Sequence, residues 1–370
     1  MVEFQNNFNI FESNHTYFLY YRYMNTETKE SRALVIGDFH FGTKTNSTQW
    51  LDCMLQYFHN TIYSKSMMRG VDKIIFLGDL FDVRYSTNTL IGIKVKDEIR
   101  HLISTLPSNV QVHILAGNHD YYSGKKEDMH YNVYEMVFGP EFLKEHDNIH
   151  IYTENPYLDE DGDLYLPWFF SEDDDLYYQT MEHYKGEKIN RIFCHSDLQT
   201  WDKSKLLARG NAWVYSGHIH TPWKDEENKL WNVGSALSLN FNDVNEHKHI
   251  YVLDGNRMME SITNVDTPIF LRYFNEQIFH LNKFENCFVQ LYIDKDKVNK
   301  AEYIEKCKEL KLNNPGISIR VVTVDKDMMS NIESGIDMNQ DIKKYIDNNI
   351  PDNLSTKYQI IKEKIKEREK

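Results

Sequence analysis

Short apolar runs punctuate the first two thirds of the chain, at 33–36, 74–77, 112–116, 191–193 and 212–215. Each is rich in β-branched or aromatic residues and stops at a Gly or another small residue, the pattern of a buried strand closed by a breaker. Between them the period lengthens. Asn46-Ser47 offers an N-cap, and Trp50, Met54, Phe58 and Ile62 follow near helical spacing. A second helix is predicted over 88–106 from Ile91, Val95, Ile99 and Leu102. Alternating strand and helix predicts an α/β core with parallel segments.

From residue 148 the predicted strands crowd together. Runs at 149–153 and 164–170 flank Asp159-Glu160-Asp161-Gly162-Asp163, which reads as a solvated hairpin turn, because a calcium loop would need a Glu that is missing here. Acids at 172–175 suit a helix N-terminus. Runs at 230–233, 236–241 and 248–253 read as closing strands of the second half of a sandwich. This domain is expected to span 31–262. Residues 1–30 form an extension, with a strand at 17–23 and a turn at 25–28 that predict a hairpin. Residues 263–330 read as a β-α-β module, with strands at 286–293 and 317–324 and a helix at 300–311. The tail, 331–370, carries two helical pieces. The second places Leu354, Tyr358, Ile361 and Ile365 on one stripe, suited to capping its own domain or to docking on another protein.

Of the 370 residues 26% are charged and 41% hydrophobic, as in a soluble globular protein. No apolar run reaches membrane-spanning length, and 1–10 lacks the pattern of a secretory signal, so no membrane association is expected. The four cysteines form no CxxC pair and read mostly as buried thiols of a reducing compartment, which points to the cytoplasm. The net charge of -14 is awkward for a nucleic-acid enzyme, which usually presents a basic surface. Bound divalent cations or a basic partner would relieve it.

The chemistry lies just after the five runs. The stretches are Gly37-Asp38-Phe39-His40, Gly78-Asp79-Leu80-Phe81-Asp82, Gly117-Asn118-His119-Asp120, Cys194-His195-Ser196-Asp197 and Gly217-His218-Ile219-His220. In open α/β sheets ligand groups collect at the carboxyl ends of strands, so these residues are expected on one edge of one sheet. A lone His near a strand end is ordinarily a satisfied core residue; five such stretches in series are not explained that way. Carboxylate and imidazole together suit Mn²⁺, Fe²⁺ or Zn²⁺, and no thiolate spacing suggests a structural zinc site.

The set resembles the calcineurin-like metallophosphoesterase superfamily, with its DxH, GDxxD, GNHD, H and GHxH blocks, over about residues 33–260. The resemblance implies a sandwich of two mixed sheets flanked by helices and two divalent metal ions, Mn²⁺ foremost, about 3.5–4 Å apart. It implies Asp38, His40, Asp79 and His220 around one ion and Asp79, Asn118, His195 and His218 around the other, with Asp79 bridging. His119 corresponds to the family's non-ligand histidine, the expected general acid, with Asp82 or Asp120 as the carboxylate that orients it.

The phosphoprotein phosphatase branch carries GDxVDRG and GNHE, which this chain lacks. Three features are similar to the SbcD type of exonuclease and the related tailed-phage recombination nuclease subunit. Gly37–Gly42 and Gly78–Arg84 resemble their D-aromatic-H-x-G and GDxFDxR blocks. Residues 234–241 resemble GSPxxLxF, with Ala236 in place of Pro. The order of nuclease domain, β-α-β capping module and helical tail is the third. Some relatives have His at the Asp82 position, where it helps to seat DNA.

The resemblance implies a DNA exo- and endonuclease acting on double-stranded ends and hairpins. An SMC-like coiled-coil ATPase would bind its C-terminal helices, a homodimer is compatible, and a phage origin would place it in the host cytoplasm. The competing reading is a phosphodiesterase or phosphatase for a small-molecule phosphoester. A scaffold that had lost catalysis would show broken ligand positions, and all eight motif positions are intact.

Overall fold

The computed structural model describes residues 31–82, 88–123, 128, 130–168, 174–244, 246–274, 287–294, 300–313 and 317–324. The expected N-terminal hairpin and the two tail helices lie outside the described residues. Fifteen strands are described: β1 (Arg32–Ile36), β2 (Lys73–Phe76), β3 (Gln111–Leu115), β4 (Ile149–Tyr152), β5 (Tyr157–Leu158), β6 (Asp163–Leu166), β7 (Arg191–His195), β8 (Trp213–Gly217), β9 (Trp223–Asp225), β10 (Leu230–Asn232), β11 (His249–Asp254), β12 (Arg257–Thr263), β13 (Ile269–Phe274), β14 (Cys287–Asp294) and β15 (Ile317–Val324).

Two six-stranded sheets form the main body, in the orders β12-β11-β1-β2-β3-β4 and β5-β6-β7-β8-β10-β9. In the first, β1, β2, β3 and β4 run parallel out to one edge, and β11 and then β12 are added antiparallel beside β1; in the second, the parallel strands β6, β7, β8 and β10 lie between the antiparallel edge strands β5 and β9. Both sheets are therefore mixed.

The strands β1, β2, β3, β7 and β8 are buried on both faces, which explains their hydrophobic runs. Ala33, Val35, Ile75, Leu77 and Leu115 meet Tyr165, Phe193, Tyr215 and Trp231 between the sheets. The alternate residues Leu34, Ile36, Ile74, Phe76, Val112 and Ile114 pack on helices α1 (Thr48–Tyr57) and α2 (Thr89–Thr105). Leu164, Ile192 and Val214 face α3 (Asp174–His183) on the far side. The result is two sheets between two helical layers. Ser47 caps α1 by accepting from the Trp50 amide. The Trp50, Met54, Phe58, Ile62 stripe is buried and runs from α1 into a π-helical segment, Phe58–Tyr63.

Several expectations change. The motif strands do not share one sheet: β1, β2 and β3 belong to the first, β7 and β8 to the second. The run at 149–153 does not form a hairpin with 163–166. It pairs with β3 in parallel, while Tyr157–Leu158 supplies the hairpin partner of β6. The acidic turn is not simply solvated, because Lys73 Nζ sits 2.6, 2.8 and 2.7 Å from carboxylate oxygens of Asp159, Asp161 and Asp163. The run at 248–253 joins the first sheet beside β1, and 236–241 is irregular.

β12 ends at Thr263, and a separate three-stranded parallel sheet, β13-β14-β15, begins at Ile269. Helix α4 (Lys300–Asn313) links its last two strands. This sheet touches the main body through aromatic rings. Trp50 lies 6.2 Å from Phe270 and 5.4 Å from Phe288, and Phe241 lies 4.9 Å from Phe270. Among the described residues no helix is long and apolar enough to cross a membrane.

Candidate metal centre

All five motif stretches lie at the carboxyl ends of β1, β2, β3, β7 and β8, with Cys194 and His195 closing β7 and Gly217 closing β8, and the two sheets bring those ends together. The loops after β1 and β2 are laced by the main chain. The amides of Phe39 and His40 both donate to the Asp79 carbonyl, at 3.1 and 2.9 Å, and the Phe41 amide donates to that of Leu80 at 2.8 Å. The lacing holds unusual backbone: His40, Asp79 and His218 have φ of 56°, 48° and 80°. Such left-handed residues cost on the order of 1–3 kcal/mol each and persist where their surroundings over-determine them. Two glycines allow the approach. Gly78 has φ 101°, and a Cβ there would lie 2.5 Å from His195 Nδ1; at Gly117 it would lie 2.2 Å from Asp79 Oδ1.

The side chains converge with lone pairs facing one another. His40 Nε2 lies 3.2 Å from His220 Nε2, and His220 Nε2 lies 3.5 Å from Asp38 Oδ2. A second group forms where His195 Nε2 lies 3.4 Å from Asp79 Oδ2 and 3.1 Å from Asn118 Oδ1, with His218 Nδ1 2.9 Å from the same Asn118 oxygen. Asp79 Oδ2 also lies 3.7 Å from His40 Nε2, so this carboxylate stands between the two groups. Backbone and tautomer fix the directions. The His218 amide donates to both oxygens of Asp38, at 3.0 and 3.1 Å. His195 Nδ1 donates to the Leu77 carbonyl at 2.7 Å, which leaves the lone pair on Nε2.

Neutral imidazoles and ionised carboxylates cannot satisfy one another in this arrangement, but a cation satisfies them all. The donor set, nitrogen and oxygen with no thiolate, fits borderline divalent ions. Sets of three ligand atoms from Asp38, His40 and His220, and from Asp38, Asp79 and His195, lie within 4.8 Å of one another. The protonation equilibria point the same way. Burial works to lower the pKa of His195, yet the charges of Asp79 and Asp38 outweigh it and raise it to about 9. Burial of His40 is likewise outweighed, by the Asp82 hydrogen bond and then the Asp79 and Asp38 charges, and its pKa rises to about 8. The site draws positive charge. Against this, burial and then the neighbouring His195 push His218 down to about 4.

His119, Asp82 and Asp120 take distinct places. The His119 amide donates to Asp79 Oδ1 at 2.8 Å. Its Nδ1 donates to the main-chain carbonyl of Asp82, also at 2.8 Å, so its orientation comes from a carbonyl where a carboxylate was expected. The Asp82 carboxylate instead lies 3.2 Å from His40 Nδ1, although a ring nitrogen of His119 is within 4.8 Å of it. Asp120 is turned away. It accepts from the amides of Gly117 and Phe81 and from the Tyr134 hydroxyl, at 2.8, 3.0 and 2.9 Å, and so shapes the loop that carries Asn118 and His119. Burial and then the Asp79 charge raise its pKa to about 7.

Sequence reasoning missed three contributors. Trp168 lies 4.9 Å from the His218 ring and 5.9 Å from that of His195. It follows the end of β6, so the signal that marked the other five stretches was present there too. Asn232 holds the Gly217–His220 loop by donating to the Ile219 and Thr221 carbonyls at 2.7 and 2.9 Å. Buried Lys248 donates to the His220 carbonyl at 2.9 Å while paired with Asp243. The other acidic cluster, Asp159, Asp161 and Asp163, already surrounds the Lys73 ammonium.

Residues 31–222 match the family model described as calcineurin-like phosphoesterase. The chain is similar to the SbcD component of the nuclease SbcCD from Staphylococcus epidermidis, at 22% identity over 257 residues, 59% of this chain and 64% of that protein. The chain thus spans somewhat under two thirds of that curated relative's length.

Proposed function

The chain belongs to the calcineurin-like phosphoesterase family and is a metal-dependent phosphoester hydrolase; on that premise we propose that it is a nuclease subunit that cuts DNA at double-stranded ends and hairpins with a coiled-coil ATPase partner. The observation that carries the hydrolytic part is the convergence of Asp38, His40, Asp79, Asn118, His195, His218 and His220 beside a fixed His119. Likeness to the SbcCD nuclease component supports the choice of DNA and of the partner.

Asp38, His40, Asp79 and His220 would hold one divalent ion, and Asp79, Asn118, His195 and His218 the other, with Mn²⁺ the ion suited to this mix. Bound there, such ions supply charge neutralisation at the phosphate oxygens and acidify a water near neutral pH. The remaining work falls to the chain. His119 Nδ1 is tied to the Asp82 carbonyl, which leaves Nε2 to carry the proton delivered to the leaving alkoxide. Asp82, paired with His40, keeps that imidazole aimed into the site. Trp168 packs against the His218 and His195 rings on one side and helps to hold their directions. Asn118, a neutral ligand, holds down the repulsion that a third carboxylate would add.

The test is digestion of linear duplex DNA by the purified chain with Mn²⁺, alone and with a coiled-coil ATPase, beside His119→Ala. Mn²⁺-dependent DNA cleavage lost in the variant supports the reading. Hydrolysis of small phosphoesters with no DNA cleavage under any condition would favour a small-molecule phosphodiesterase, the assignment that the net charge of -14 suits better.

A further inference from the structure

The loop that carries Asn118 and His119 ends in an exposed aromatic pair. Tyr122 and Tyr131 are 51% and 58% exposed, with ring centroids 6.4 Å apart at 79°. His130 lies against Tyr131, 3.9 Å between centroids. Single exposed aromatics are ordinary, but this group is built. The Tyr122 amide donates to the Tyr131 carbonyl at 2.8 Å, and Tyr121 forms a β-bridge with Asn132. Behind them the Val133 amide donates to the Asp120 carbonyl at 2.8 Å, and Asn132 caps the next helix through the Glu135 amide. Both arms are thus anchored to the segment that shapes the site. Tyr122 is three residues from His119, so its Cα lies at most about 11 Å from that of His119.

Among the described residues, two lysines behind the centre are already engaged. Lys248, behind His220, is paired with Asp243 and Glu246. Lys44, two residues beyond Gly42, is bound to the Leu239 carbonyl and lies over the Trp50 and Phe270 rings. Base–aromatic stacking would give a chain of net charge -14 a nucleic-acid contact that does not depend on charge.

We propose that Tyr122 and Tyr131 form a stacking platform for an unpaired nucleobase next to the scissile phosphate, so that the preferred substrate has a frayed or single-stranded end. This rests on the nuclease reading above and adds to it the substrate class. A base inside an intact duplex has both faces covered by its neighbours, whereas a frayed base offers a face to one ring while the other ring, at 79° to it, meets the base at its edge.

The experiment compares the full chain with the double variants Tyr122→Ala/Tyr131→Ala and Tyr122→Phe/Tyr131→Phe, using Mn²⁺ throughout. Three substrates are used: a duplex with a single-stranded end, the same duplex with abasic sites in that end, and bis(p-nitrophenyl) phosphate. Both side chains are exposed, so the variants should keep the fold and hydrolyse the small ester at the wild-type rate. The proposal expects the Ala variant to raise KM for the frayed duplex roughly 5- to 100-fold, the Phe variant to restore it, and abasic sites to remove the difference. The salt dependence of binding should not change, because no ionic contact is lost. Unchanged DNA kinetics in the Ala variant would overturn the platform alone. A wild-type chain that hydrolyses the small ester but cuts no DNA would overturn the nuclease reading and the platform with it.

Discussion

His119 donates its Nδ1 proton to the main-chain carbonyl of Asp82, 2.8 Å away, while the carboxylate of the same Asp82 lies 3.2 Å from His40 Nδ1. One residue thus serves two histidines with different atoms. A main-chain carbonyl has no protonation state, so the His119 tautomer does not depend on ionisation of Asp82.

Replacing Asp82 by Asn is therefore expected to leave His119 in place and to weaken the hold on His40. Removing a partner of a metal ligand typically costs 10- to 100-fold in metal affinity, so Asp82→Asn should need roughly that much more Mn²⁺ for half-maximal activity. His119→Ala should instead lower kcat about 10²- to 10⁴-fold at unchanged Mn²⁺ dependence. Metal titrations of hydrolysis of a small phosphodiester separate the two.

Asp120→Ala would strand the buried amides of Gly117 and Phe81 and the Tyr134 hydroxyl. Unsatisfied buried groups cost about 1–3 kcal/mol each. The variant should therefore lose several kcal/mol in urea denaturation and lose activity through disorder of the His119 loop. Asp120→Asn, which keeps an acceptor, should lose less.

Lys73 is the buried counter-charge at the opposite ends of the strands. Its ammonium is shared by Asp159, Asp161 and Asp163, and Asp163 also pairs with Arg191 at 2.5 Å. Removing one partner of a buried ion pair costs about 3–5 kcal/mol. Lys73→Met should show a loss of that order by denaturant titration, while metal uptake by the folded fraction is retained.

His113 gives the fold an acid-sensitive point away from the centre. Its ring lies 4.3 Å from that of Tyr165, and its Nδ1 is 3.0 Å from the Tyr152 hydroxyl. Burial, then the His150 and Lys73 charges, hold its pKa well below the ordinary value of 6.5. The unfolded chain takes up this proton first. The stability is therefore complete above pH about 6.5 and falls as pH drops below it, by at most about 1.4 kcal/mol per pH unit. Denaturation midpoints between pH 8 and 5 should fall in wild type and fall less in His113→Phe.

The candidate centre was legible because its residues are attached to a readable rule: a buried strand ends, and the next side chain points out of its carboxyl end. Asp38, Asp79, Asn118, His195 and His218 could be found that way, and Trp168 could have been. Assignment to sheets was not legible. Val35 and Phe193 are both buried on strands covered on two faces, and an apolar run carries no mark of its pairing partner. The single-sheet expectation and the misplaced partner of Ile149–Tyr152 both follow from that. Lys73 was hidden for another reason: a charged residue opening a strand reads as solvent-facing until the three aspartates, nearly ninety residues away, are folded against it. The orienting group of His119 was missed because a main-chain carbonyl has no signature in sequence.

The central claim is that seven side chains from two sheets turn their lone pairs onto a pair of cations. Equilibrium Mn²⁺ binding followed by electron paramagnetic resonance tests it most directly. The account predicts two ions per chain, with spins coupled through Asp79, and coupling lost in Asp79→Asn. Binding of no ion, or of a single uncoupled ion at saturation, would contradict it.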